Sequence, residues 1–154
     1  MYFWKIESLK EDIANGSFTD KELIPYVVLY VCLYAVGIEI AAYSPYEDIN
    51  IWTYVLSILN VVIPIVGTIY AYQKNGGGSG NNFASKYISI GFVVVVRFLV
   101  YLIPVMIFMI IYWTIKYGDQ VELPTSIVEV IAFSSWYALI YFRVGKHIGD
   151  TVRA

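Results

Sequence analysis

"YISIGFVVVVRFLVYLIPVMIFMIIYWTI", residues 87–115, carries one charged side chain, Arg97, and no other charge lies within ten residues of it on either side. The length of this run decides what it can be. Buried strands rarely exceed about eight residues, so the valine and isoleucine content does not make it a strand. At 1.5 Å per residue, about 20 helical residues cross a hydrocarbon core of roughly 30 Å. In lipid, every backbone N–H and C=O must be satisfied within the segment, which leaves a helix.

Three more stretches are long enough to cross, at 23–43, 51–73 and 125–142. Composition agrees. Hydrophobic residues make up 59% and charged residues 14% of 154 residues, against about 45–50% and 25% in soluble domains. The mean hydropathy is +0.66. Too few polar residues remain to cover a water-soluble surface. The sequence predicts an all-α integral membrane protein, a single domain of four transmembrane helices in a bundle.

Basic residues orient the spans. Lys5, Lys10 and Lys21 precede span 1, Lys74 and Lys86 flank the 74–86 connection, and Arg143, Lys146 and Arg153 follow span 4. The 43–50 connection has no basic residue and 116–124 has only Lys116. By the positive-inside rule both termini and the 74–86 loop are cytoplasmic, in a multi-pass protein of the cell membrane, of bacterial inner-membrane type. Glu47, Asp48, Asp119 and Glu122 fall in the outer turns. Trp52, Tyr54, Tyr112, Trp113 and Tyr117 mark the outer face, and Tyr70, Tyr72, Tyr87 and Tyr141 the inner one. No cleavable leader is read, since the first apolar run begins near Leu23 after a mixed-charge segment.

Residues 1–16 place Phe3, Ile6, Leu9 and Ile13 at three- and four-residue spacing, with Lys5, Glu7, Lys10, Glu11 and Asp12 opposite. This is an amphipathic helix. It is expected to lie in the cytoplasmic interface, the alternative being that it packs on its own bundle. Asn15-Gly16 ends it, and Thr19-Asp20-Lys21-Glu22 reads as a capping box opening span 1.

The "NGGGSGNN" loop, residues 75–82, lacks the Lys-Ser/Thr ending of a phosphate loop and the strand before a dinucleotide loop. It reads as a cytoplasmic turn. Its flanks give a candidate anion or headgroup contact through Lys74, Gly76, Gly77, Gly78, Ser79 and Lys86. Four glycines among three asparagines imply a defined backbone shape.

Inside the spans lie Arg97, Asn60, Glu39, Glu129, Ser134 and Ser135. Counted from Tyr87, Arg97 lies about 15 Å along its helix, near mid-membrane. A centred arginine costs about 2.5–3.5 kcal/mol on insertion scales, so it must snorkel or pair. Depth puts Arg97, Asn60 and the serines in a central layer, and Glu39 with Glu129 in an outer one. Such residues serve as helix glue or line a conduction path. Pro64 and Pro104 introduce bends or hinges. The pairs Gly37/Ala41 and Gly67/Ala71 suit close helix approach.

No catalytic pairing is evident. One cysteine, Cys32, and one histidine, His147, exclude an internal disulfide and the usual zinc sites. No metal and no cofactor is expected. With a net charge of −2 and no basic block, nucleic acid is not a partner. The expected role is non-enzymatic: an oligomer, or an accessory or scaffold subunit whose partners are lipid, a second copy or another membrane protein. The alternative is an oligomeric pore or transport component lined by the intramembrane polar residues. A lipid-modifying enzyme using the outer glutamates is the third reading.

Overall fold

The computed structural model describes residues 2–42, 49–118 and 125–153. Among them every regular element is helical: α1 (Ile6–Ala14), α2 (Asp20–Ala42), α3 (Ile51–Lys74), a 3-10 turn (Gly77–Ser79), α4 (Phe83–Tyr117) and α5 (Ile127–Arg153). Four of these, α2 to α5, are long and apolar enough to cross a membrane. The outer-turn acids Glu47, Asp48, Asp119 and Glu122 lie outside the described residues.

Packing follows where small residues let backbones meet. Helices α3 and α5 run side by side in the same direction, since Gly67, Ala71 and Lys74 meet Tyr141, Gly145 and Gly149 in order. A Cβ at Gly67 would stand 2.5 Å from the Tyr141 side chain, and one at Gly145 would collide with the Tyr70 ring. Of the two small pairs in the sequence, Gly67/Ala71 is at a contact, whereas Gly37 faces open space. Gly145 and Gly149 form a third pair at the same four-residue spacing. They carry α5 eleven residues past the expected end at 142, because Val144, Ile148 and Thr151 are buried there.

Helix α4 packs against both α5 and α2. Only 6% of the apolar window of α2 is buried, against 22% for α5, so α5 is the centre and α2 the flank. Helices α3 and α4 run unbroken through Pro64 and Pro104.

Helix α1 lies across α4 and α5. Ile6 and Leu9 are buried in one cluster with Tyr26, Phe92, Val93, Val94, Val144 and Ile148. Each such side chain contributes about 1.5–3 kcal/mol by burial. The apolar face of α1 therefore seats on its own helices, the alternative to the interfacial placement, while Phe3 and Trp4 remain exposed. Further bonds hold this segment. The Tyr2 backbone N–H donates to Tyr26 Oη at 2.6 Å, and Tyr2 Oη donates to Asp12 Oδ2 at 2.6 Å. The predicted cap of α2 forms through Glu22, whose Oε2 accepts from the Thr19 N–H at 2.7 Å.

Candidate functional site

The structure separates the polar residues of the long apolar helices, with Arg97 and Glu129 in different surroundings. Arg97 belongs to the α1 end. Its Nη2 donates to the Trp4 carbonyl oxygen, and its guanidinium stands 5.4 Å from the centre of the Trp4 ring. An arginine on a helix leans toward the helix N-terminus, and here that lean finds a backbone acceptor and an aromatic face. Neither Asn60, Glu39 nor Glu129 bonds it among the described residues. The depth count had assumed that α4 enters the membrane near Tyr87. Its 35 residues extend about 52 Å, some 20 Å beyond a hydrocarbon core. Helix α1 covers the stretch around Phe92–Arg97, which explains why Arg97 keeps company with an element outside the spans.

Arg97 also lines a groove of about 410 Å³ between α4 and α5. Arg143 and His147 share its polar side, and Phe98, Trp136 and Leu139 its apolar side. The Phe98 and Trp136 rings meet edge to face with centres 5.1 Å apart. Beside the groove, Lys10 binds Glu7 at 2.7 Å and Asp150 at 3.1 Å, and His147 Nδ1 lies 3.7 Å from Asp150 Oδ2. Burial disfavours the Lys10 ammonium. Its hydrogen bonds to Glu7 and Asp150 outweigh that, holding its pKa above the ordinary lysine value.

Glu129 belongs to the opposite end. It is buried, and its Oε1 accepts from Trp113 Nε1 at 2.7 Å while Oε2 accepts from the Ser126 N–H at 3.2 Å. It thus caps α5 and pins it to α4. Close by, Asn50 caps α3 by accepting from the Trp52 and Thr53 N–H groups, and its Nδ2 donates to the Thr125 carbonyl at 2.9 Å. Sequence reasoning missed Asn50, although Asn-x-x-Thr before an apolar run is a legible start signal. Glu39 is exposed on α2, away from this cluster.

Comparison with family models, with curated proteins and with solved structures returns no match.

Counting back equally from the Gly67–Tyr141 contact puts Asn60 level with Ser134. Asn60 is exposed and has no hydrogen-bond partner among the described residues. The Ser134 hydroxyl is buried without a partner, and Ser135 is exposed. Among the described residues, the bond of Arg97 goes to Trp4 and not to Asn60, Ser134 or Ser135.

The glycine loop has the defined shape its composition implies. Asn75 is fully buried at its centre, donating to the Asn81 carbonyl at 3.3 Å and accepting from Lys86 Nζ at 3.0 Å. A Cβ at Gly80 would collide with the Asn75 carbonyl oxygen, and Gly76 has φ +95°, a left-handed backbone that favours glycine. Ser79 Oγ donates to the Gly76 carbonyl at 2.8 Å, Gly77 and Gly78 lie in the 3-10 turn, and Lys74 is exposed over the Tyr70 ring. Of the two lysines proposed for an anion, Lys86 is turned inward and committed to the loop itself.

Proposed function

We propose that this chain is a non-enzymatic multi-pass membrane protein that works by association, with a second copy or as an accessory subunit beside another membrane protein. The observation that carries the reading is Asn60, a carboxamide near the middle of α3, exposed and unpartnered among the described residues. An amide facing hydrocarbon costs several kcal/mol unless bonded, and interhelical bonds from such residues are a recurrent source of association. The basic residues support a cytoplasmic location for both termini in a bacterial inner membrane. Lys10, Lys74, Arg143 and Lys146 all lie at the α1 end, and Lys116 at the other.

The test is cross-linking in lipid vesicles. With Cys32→Ser as background, Asn60→Cys is expected to form disulfide dimers, and Asn60→Leu to lower the oligomer fraction roughly fivefold, as a bond of about 1 kcal/mol would. A wild-type chain that remains monomeric at every protein-to-lipid ratio would sink self-association. Steady ion conductance across a planar bilayer would replace this reading with a pore.

A further inference from the structure

We propose that the groove between α4 and α5 at the α1 end binds an anionic phospholipid, its phosphate on Arg97 and Arg143 and its acyl chain along Phe98, Trp136 and Leu139. The argument starts from charge. Two guanidiniums and an imidazole line the groove, and no carboxylate of the described residues does. Among the described residues neither Arg97 nor Arg143 has an acidic partner, because the nearby carboxylates Glu7 and Asp150 are held by Lys10. Arg97 uses one nitrogen on the Trp4 carbonyl, while its Nε is buried with no partner. A phosphodiester matches this need: one negative charge, and oxygens that accept two parallel guanidinium N–H bonds.

The remaining walls select the source of the phosphate. A free ion gains nothing from aromatic and aliphatic side chains, whereas the Phe98–Trp136 pair and Leu139 offer an apolar track leading away from the cations. The volume, about 410 Å³, suits a headgroup and its first methylenes. The groove borders the charged cluster of Lys10, Asp150 and His147, and on this proposal the lipid phosphate lies at the level of that cluster. Basic pockets between helices are a known form of anionic headgroup site. This site is distinct from the glycine loop, whose Lys86 is internally bonded.

The experiment is native mass spectrometry of the full chain in non-ionic detergent, titrated with phosphatidylglycerol and with phosphatidylcholine. The wild type is expected to retain phosphatidylglycerol roughly tenfold more tightly, the size of a charge-assisted pair. Arg97→Gln with Arg143→Gln should abolish the preference. Since Arg97 also anchors Trp4, two further variants keep the test decisive if the double one does not fold. Arg143→Gln alone should weaken the preference, and Leu139→Trp, which fills the apolar track and leaves every charge, should lower phosphatidylglycerol retention. An unchanged preference in folded Arg143→Gln and Leu139→Trp would overturn the proposal. So would displacement of the lipid by equimolar inorganic phosphate, which would assign the site to a free anion.

Discussion

The two ends of the helix assembly are held by different chemistry. At the α1 end a whole element is laid across α4 and α5, burying Ile6 and Leu9 and tying Arg97 to Trp4. At the opposite end, Asn50, Thr53, Thr125, Ser126 and Glu129 join the starts of α3 and α5 through caps, and Trp113 adds a single indole bond. The first end relies on apolar burial reinforced by charge, the second on hydrogen bonds that complete helix termini. At the α1 end Arg97 Nε is left buried without a partner among the described residues, and at the other end the Ser126 hydroxyl is. The difference is in charge: the leftover donor beside α1 belongs to a guanidinium, whereas both oxygens of the Glu129 carboxylate are spent on the fold.

That contrast can be broken by substitution. Leu9→Ala is expected to have the largest effect, about 2–5 kcal/mol, read as unfolding in mixed micelles with faster proteolysis after Lys5 and Lys10. Amide exchange near Glu129 should stay slow, and equal loosening at both ends would show that they are one unit. Asn50→Ala should cost about 1 kcal/mol and raise exchange at the Trp52 and Thr53 amides while the α1 contacts persist. Asp150→Asn removes one of two partners of Lys10 and should cost under about 1 kcal/mol, shrinking with added salt. The raised Lys10 pKa gives the sign of the pH effect. Its ion pairs contribute fully below the ordinary lysine value and are lost only as pH climbs through the elevated one. Exchange at the C-terminal part of α5 should therefore be insensitive to alkali below the ordinary lysine value and quicken as pH rises from there through the elevated one.

Much of this architecture was legible in the sequence because the length of an apolar run is a physical requirement of lipid. Helix ends were less so. Hydropathy reports which residues suit hydrocarbon, and a helix continues past that point whenever protein covers it. Gly145 and Gly149 extend α5 on α3, and α1 covers α4 near Phe92. The contact between Arg97 and Trp4 follows from the same cause, since α1 covers part of a helix 35 residues long. The candidate site was half visible. Arg97 stood out as an isolated charge, but its pairing with Trp4 and proximity to Arg143 and His147 join residues from three helical segments that no local pattern connects. Glu129 was found as polar, and its role as a cap was hidden by attention to its depth.

The seating of α1 also sets an order of events during synthesis. Ile6, Leu9 and Lys10 are translated well before Val144, Ile148 and Asp150, against which they settle. Until α5 has been made, the earlier segment finds only the α4 part of its seat. Its full docking therefore waits on α5, and a nascent polypeptide halted before α5 exposes that segment to whatever quality-control machinery samples it.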